Sequence, residues 1–216
     1  MTSIGNILLP FVLIIPAIVF HEVAHGYAAL ALGDPTARDR GRLSLNPLKH
    51  IDPFGTVLLP LLLIAMFGFG FGYAKPVPVD PNRFTGDVRK GMFITGLAGP
   101  AANLAMAAVG GIVVRVALAL GSQQSWLIDG AYLFAFVNLI LLFFNLIPLP
   151  PLDGSRVLPL FLSDRAMRTY AKWERYGFII LLAVLWIAPS VFHVDPIDAY
   201  FGVTARPLLA LLTGVS

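Results

Sequence analysis

Residues 4–32 read IGNILLPFVLIIPAIVFHEVAHGYAALAL and give the first indication of the architecture. The run is apolar and long enough to cross a bilayer, since about 20 helical residues suffice. A polar cluster, His21-Glu22-Val23-Ala24-His25, interrupts it close to its end. Ionisable side chains inside a membrane segment are costly and are generally functional. The stretch therefore predicts a membrane helix that carries a functional site.

The composition of the whole chain supports a membrane protein. Of its 216 residues, 57% are hydrophobic and only 12% are charged, against roughly 25% charged in soluble domains. The absence of cysteine excludes a disulfide scaffold, a cysteine zinc ribbon and a thiol nucleophile. We assign the net charge of +3 to basic loops that orient the chain in a bilayer. We therefore expect no nucleic-acid partner.

Four further apolar runs follow the first. They cover residues 54–71, 92–120, 131–147 and 178–192. Together the five runs predict an all-α polytopic membrane protein with about four to six transmembrane helices. The short apolar tail at 203–212 is too brief to span and is expected at the interface.

The basic residues predict how these runs are oriented. Lysine and arginine follow the first, second and fourth runs, whereas loops 121–130 and 193–200 contain neither. Basic loops lie on the cytoplasmic side of membranes. The cluster His21–His25 is therefore expected at the cytoplasmic end of the first run.

The second run has basic residues on both sides, which does not suit a simple crossing. Residues 54–73 also contain Pro60 and four glycines. One interpretation is a re-entrant segment that returns to the cytoplasmic side, where protein or water must cover its irregular backbone. The alternative is an ordinary span with one loop that breaks the charge rule.

The cluster in the first run has the pattern H-E-x-x-H. Because His21 and His25 are four residues apart, they share one face of a helix and can reach one metal ion. Zinc suits imidazole ligands and needs no redox chemistry. Glu22 is close enough to contact a water bound to that metal.

A catalytic zinc site usually has three protein ligands. Of the other two histidines, His50 lies in a polar loop and His193 beside the outer loop. Asp153 follows the fourth run within NLIPLPPLDG, residues 145–154, where three prolines stop a regular helix. The fourth run and the first both end on the cytoplasmic side, so Asp153 is expected on the same side as the histidines.

These motifs resemble the site-2 protease family of intramembrane zinc metalloproteases, peptidase family M50. That family pairs HExxH with a later segment similar to N-P-x-P-x-x-D-G. Residues 145–154 are a looser version, in which Asn145, Pro148 and Leu152-Asp153-Gly154 keep their order but leucine follows Asn145 in place of proline. Gly99-Pro100-Ala101-Ala102-Asn103 matches a third motif of the family, on an intervening helix. Tyr73–Asp80 is similar to the family's re-entrant β-loop, which implies a short β-loop here.

The resemblance implies one zinc ion per chain, held by His21, His25 and Asp153, with Glu22 as general base. It also implies that Asn103 contacts the substrate or the oxyanion, although a hydrogen bond between membrane helices is the alternative. The remaining motif residues are Asn145, Pro148 and Gly154.

The resemblance also implies what the protein acts on and where. Residues 1–216 are expected to form a single intramembrane metalloprotease domain without PDZ or CBS modules. Its substrates are expected to be transmembrane segments of other proteins in the lipid bilayer, in a prokaryotic plasma membrane, with the active site toward the cytoplasm.

Three alternatives remain open from the residues. Lys75–Asp80 can be an edge strand for substrate or a plain proline-rich loop. The histidines can belong to a membrane transporter for zinc or another divalent metal, although such proteins need several ligands along a path. The chain can also be an inactive scaffold of the family, although Glu22 and Asp153 are both present.

Overall fold

A computed structural model describes residues 3–67, 72, 74–193 and 195–215. In chain order its α-helices are α1 (Ser3–Ala31), α2 (Thr36–Asp39), α3 (Leu59–Phe67), α4 (Val88–Ala119), α5 (Ser125–Asn145), α6 (Gly154–Val157), α7 (Asp164–Glu174), α8 (Gly177–Leu182), α9 (Ala188–Phe192), α10 (Pro196–Val203) and α11 (Ala205–Thr213). Short 3₁₀ turns cover Pro47–His50, Pro81–Arg83 and Leu158–Phe161, and π-helical turns cover Pro53–Leu58 and Ala183–Ile187.

Three helices among the described residues are long and apolar enough to cross a membrane. They are the Val12–Ala31 part of α1, α4 and α5. A fourth candidate is the pair Asp164–Glu174 and Gly177–Val191, whose two parts are bent by 69° relative to each other. The all-helical membrane architecture is therefore confirmed, and the protein is an integral membrane protein. The three or four candidate spans lie at or just below the lower end of the predicted range.

The second apolar run does not form a helix of membrane-spanning length among the described residues. The π-helical turn Pro53–Leu58 leads directly into the short helix α3. Asp52 caps this turn, because its carboxylate accepts hydrogen bonds from the backbone N–H groups of Phe54 and Gly55. Residues 68–71, where the predicted re-entrant path continues, lie outside the described part of the chain.

The predicted β-loop contains no strand in residues 72 and 74–80. The physical reason lies in its backbone donors. Pro76 and Pro78 have none, while the N–H groups of Val77 and Asp80 are bound by the side chains of Glu22 and Asp34. Two carboxylates therefore hold the segment in place of a neighbouring strand, that of Glu22 in α1 and that of Asp34 just after α1.

Close packing around α4 organises the bundle. A Cβ atom at Gly110 would lie 2.9 Å from the carbonyl oxygen of Ala131, and one at Gly111 would lie 2.8 Å from that of Leu212. Small residues let membrane helices approach this closely. The tail expected at the interface packs against α4 and α5 through α11, where Leu209 is buried.

The other end of α4 faces α1 and carries the polar residues of the interior. Asp87 caps this end by accepting a hydrogen bond from the N–H of Lys90. Within the next four turns α4 presents Thr95, Gly99 and Asn103. All three are buried, so the polar half of α4 lies against the polar cluster of α1.

Candidate metal centre

Two histidines of α1 and one aspartate form a buried cluster. The Nε2 atoms of His21 and His25 are 3.1 Å apart. The Oδ2 atom of Asp153 lies 3.0 Å from Nε2 of His21 and 3.1 Å from Nε2 of His25. A helix brings its residues i and i+4 to one face, whereas Asp153 comes from 128 residues further along the chain than His25.

Asp153 is placed by the irregular segment that follows α5. The backbone stops its helical course after Asn145 and begins the short helix α6 at Gly154. A Cβ atom at Gly154 would collide with the carbonyl groups of Leu146 and Ile147. Glycine is therefore required beside Asp153, because the chain folds back on itself at this point.

Gly99 of α4 makes room for the two imidazole rings. A Cβ atom at this position would lie 2.6 Å from the Nε2 atom of His21 and even closer to that of His25. Real Cβ atoms essentially never approach other atoms so closely. The glycine therefore leaves open the space into which both Nε2 atoms point.

Hydrogen bonds at the opposite ring nitrogens determine which imidazole nitrogens are free. Nδ1 of His21 lies 2.6 Å from Oδ1 of Asn103, and Nδ1 of His25 lies 2.6 Å from the carbonyl oxygen of Thr95. The amide nitrogen of Asn103 donates to the carbonyl of Ala17 and to Oδ1 of Asn138, so its oxygen must face His21. Both Nδ1 atoms therefore carry the hydrogen, and neutral rings present Nε2 as a bare lone pair.

Three electron-pair donors thus converge with no hydrogen between them, an arrangement that a cation stabilises. Ligands bound at about 2.0–2.1 Å to a tetrahedral zinc are about 3.3–3.4 Å from one another. The observed separations of 3.0–3.1 Å are close to that value. Two imidazoles and a carboxylate are also a donor set that zinc accepts. The residues therefore fit a zinc ion.

Glu22 is half-buried and hydrogen bonds to the backbone of another segment. Its Oε2 atom accepts a hydrogen bond of 2.8 Å from the N–H of Val77. The side chain of Val77 is buried and lies over Gly26, whose missing Cβ would be 3.0 Å from Cγ1 of Val77. The extended segment around Val77 thus borders the cluster on the side of Glu22.

Arg156 adds a positive charge at the edge of the cluster. Its Nη1 atom is 3.7 Å from Oδ1 of Asp153, the oxygen that does not face the histidines. The two oxygens of Asp153 therefore have different partners. This arrangement favours binding of a metal through one oxygen of the Asp153 carboxylate, Oδ2.

The other predicted residues lie outside the cluster. His50 is buried elsewhere, with Nε2 2.8 Å from the carbonyl oxygen of Ser44, and His193 follows the end of α9. Asn145 donates to the carbonyl of Leu141 within its own helix. Asn103 is fully buried and both hydrogens of its amide are bound to protein atoms. Its predicted contact with substrate stays a prediction.

Sequence reasoning missed Asn138, Arg156 and the carbonyl of Thr95. Asn138 left a signal, because a polar side chain inside the apolar run 131–147 needs a partner in a membrane. Arg156 follows Asp153 by three residues and could have been noticed as its neighbour. A backbone carbonyl such as that of Thr95 leaves no trace in the sequence.

Comparisons with known proteins identify relatives of this chain. The model of Peptidase family M50 matches residues 108–188, a segment that contains Asp153 but neither histidine of the cluster. The chain is 37% identical over 218 residues to the Bacillus subtilis (strain 168) protein named "Putative zinc metalloprotease YwhC", covering 94% of this chain and 95% of that protein.

Mycobacterial relatives are longer than this chain. The protein named "Putative zinc metalloprotease Rip2" of Mycolicibacterium smegmatis is 33% identical over 175 residues, and that of Mycobacterium tuberculosis (strain H37Rv) is 32% identical over 175 residues. In both cases the match covers 81% of this chain and 65% of the relative. No solved structure matches the chain significantly.

Proposed function

Because this chain belongs to peptidase family M50, a family of metalloproteases, we propose that it is an intramembrane protease. It hydrolyses peptide bonds within or next to the transmembrane segments of other membrane proteins. The observation that carries this proposal is the position of the metal cluster. His21 and His25 lie within the candidate span Val12–Ala31 and are buried against another candidate span.

We further propose that one zinc ion per chain is held by His21, His25 and Asp153. When bound at such a site, zinc polarises a carbonyl group and makes water a stronger acid. Glu22 then accepts a proton from the attacking water on a carboxylate oxygen and returns it to the nitrogen of the leaving amine. Asn103 and the carbonyl of Thr95 keep the two imidazoles in the orientation that directs both Nε2 atoms inward.

A helical substrate needs local unwinding before its peptide carbonyl can reach this cluster, because helical peptide groups are already hydrogen bonded. The cluster is buried, which keeps bulk water away from the reacting bond. The extended segment around Val77 lies beside Glu22 and is neither helix nor strand. These features suit an unwound segment of a membrane protein better than a folded soluble one.

For the location, we propose a prokaryotic plasma membrane with the cluster toward the cytoplasm. Basic residues follow α1 and the segment after α5, at the ends of the chain segments that contribute the ligands. The positive-inside rule places such ends in the cytoplasm. The partners are then the lipid bilayer and the substrate's transmembrane segment.

A metal transporter is a poorer explanation. The three candidate ligands converge on one point, and the remaining histidines, His50 and His193, lie elsewhere in the described part of the chain. A transport path needs ligands at successive depths. Membership of a protease family points in the same direction.

The proposal is tested by mapping cut sites across a whole membrane proteome, so that no substrate has to be chosen in advance. Bacterial membranes are incubated with the purified protein or with its Glu22→Gln variant, and new N-termini are identified by mass spectrometry. We expect new termini inside or next to transmembrane segments with the unaltered protein alone. New termini confined to water-soluble domains, or none at all, would contradict intramembrane cleavage.

A further inference from the structure

The N–H group of Val77 is the contact between the extended segment and Glu22. Val77 stands between Pro76 and Pro78, so it carries the single backbone donor of that tripeptide. That donor lies 2.8 Å from Oε2 of Glu22. The position of the Glu22 carboxylate therefore depends on where the backbone of Val77 is held.

Arg42 holds this backbone from the other side. The arginine is only 8% exposed, and its guanidinium donates to the carbonyl groups of Lys49, Lys75 and Pro76. The N–H of Lys75 also donates to the carbonyl of His50, at 2.8 Å. The two residues that precede Val77 are thus tied to the loop of residues 42–50.

A buried guanidinium bound only to carbonyl oxygens is an expensive arrangement. Taking a cation out of water is costly unless an opposite charge or several hydrogen bonds compensate. Arg42 forms no ion pair in the described part of the chain, whereas the nearby Arg38 is exposed and pairs with Asp39. The planar fork of arginine suits carbonyls on two separate segments, because Nη1 donates to Lys49 while Nη2 donates to Lys75 and Pro76. Lysine cannot bridge the two segments equally well.

We propose that Arg42 is a positioning residue for Glu22. It acts through the backbone of Lys75, Pro76 and Val77, whose N–H directs one oxygen of the Glu22 carboxylate and leaves the other free for the proton of the attacking water. Arg42 itself touches neither the metal ligands nor the reacting atoms. This inference rests on the proposed function, in which Glu22 is the general base.

Two pairs of variants separate the contact from general damage to the fold. Arg42→Met removes the donors, and Arg40→Met is its control because Arg40 is exposed. Val77→Pro removes the N–H together with part of the side chain, and Val77→Ala is its control because it trims the side chain and keeps the N–H. Turnover is measured on a membrane segment identified by the cut-site mapping, with the zinc content measured in parallel.

We expect Arg42→Met and Val77→Pro each to lower kcat by about 10- to 100-fold, since a displaced general base loses part of a contribution of about 10²- to 10⁴-fold. KM and zinc content stay near those of the unaltered protein. Arg42→Lys recovers part of the loss. We expect the kcat of the double variant to lie within about threefold of the kcat of the slower single variant, because both changes break the same connection.

Losses that multiply in the double variant would overturn the proposal, as would an unchanged kcat in Arg42→Met. If Arg42→Met does not fold, Arg42→Lys and Val77→Pro carry the same comparison.

Hydrogen exchange of residues 74–80 gives a readout that needs no substrate. The prolines contribute no signal, so the N–H of Val77 is one of five backbone N–H groups that report on this segment. We expect faster exchange in Arg42→Met than in Arg40→Met, and equal exchange would overturn the proposal even where no cleavage is found. If exchange is faster in Arg42→Met but no membrane protein is cleaved, the proposed function is contradicted. The role of Arg42 in holding Val77 is supported in that case.

Discussion

His21 and Asn103 are 82 residues apart in the chain and are joined by a buried hydrogen bond of 2.6 Å between Nδ1 and Oδ1. The bond links α1 to α4 and fixes the tautomer of the imidazole. Because the amide nitrogen of Asn103 is bound to Ala17 and Asn138, the side chain cannot turn over without losing further bonds. The asparagine therefore acts directly on His21, a proposed metal ligand, whatever it does toward a substrate.

The variant Asn103→Ala is expected to lower zinc affinity by about 10- to 100-fold, which is typical for loss of a partner behind a metal ligand. Asn138→Ala is the matched control, because it breaks the same asparagine pair but leaves the bond to His21. Competition with a chelator measures both affinities. Unchanged zinc affinity with poor turnover in Asn103→Ala would favour the predicted contact with substrate instead.

The variant Asp153→Asn is expected to lose zinc. An amide offers a neutral oxygen in place of a carboxylate, and only two imidazoles remain as good ligands. Elemental analysis in detergent is expected to give about one zinc per chain for the unaltered protein and little for the variant. The control is Asp164→Asn, which changes an exposed aspartate paired with Arg89. Full zinc content in Asp153→Asn would show that another residue is the third ligand.

The variant Glu22→Gln is expected to keep its zinc and to lose turnover by about 10²- to 10⁴-fold. Glutamine has a similar shape but cannot accept the proton of water as a carboxylate does. Glu174→Gln serves as control, because Glu174 is exposed on α7. Cleavage at the normal rate by Glu22→Gln would exclude this residue as general base.

The variant Gly99→Ala is expected to abolish zinc binding and activity. Its Cβ would lie 2.6 Å from Nε2 of His21, so the imidazole rings must move. Gly130→Ala is the matched control, since no atom of the described residues lies within 4 Å of a Cβ at that helical position. We expect the control to be stabilised by about 0.5–1 kcal/mol, the usual preference of a helix for alanine over glycine. Normal zinc binding in Gly99→Ala would contradict the geometry of the cluster.

Asp34 is expected to make stability depend on pH at the end of α1. Burial raises the pKa of its carboxyl, but hydrogen bonds from Thr36 and from the N–H of Asp80 outweigh burial and leave the pKa below its ordinary value of 3.8. The folded state therefore binds this proton less readily than the unfolded state. The stabilisation is complete well above pH 3.8 and is lost as the pH falls through the lowered value.

The same carboxylate accepts three hydrogen bonds, so Asp34→Asn is expected to cost about 1–3 kcal/mol of stability and to weaken this acid dependence. Thermal unfolding in detergent between about pH 3 and pH 7 measures both effects. Asp39→Asn is the control, because among the described residues its carboxylate pairs with the adjacent, exposed Arg38 at the surface. If Asp34→Asn loses stability at low pH as steeply as the unaltered protein, other groups are responsible for the pH dependence.

Much of the candidate site could be predicted from local patterns. Helical periodicity alone places His21 and His25 on one face, and their separation in the structure agrees with this. Asp153 was expected near the histidines because the first and fourth runs end on the same side of the membrane. In the structure its Oδ2 atom lies 3.0 Å from Nε2 of His21. The predicted β-loop is wrong for residues 74–80, which contain no strand, because side chains bind the N–H groups of Val77 and Asp80. A strand pattern in the sequence does not reveal such bonds.

By itself the sequence determined that this is a membrane protein and identified the candidate ligands. An apolar chain with a polar cluster in a membrane segment has few alternatives, because the bilayer restricts spanning segments to structures that bind their own backbone groups. Only the tertiary structure decided which nitrogen of each histidine is free, which glycine admits the imidazoles and which backbone N–H meets Glu22. Helix geometry follows from hydrogen bonds between near neighbours in the chain. The approach of α4 and of residues 75–77 to α1 depends on packing between distant segments, which periodicity does not encode.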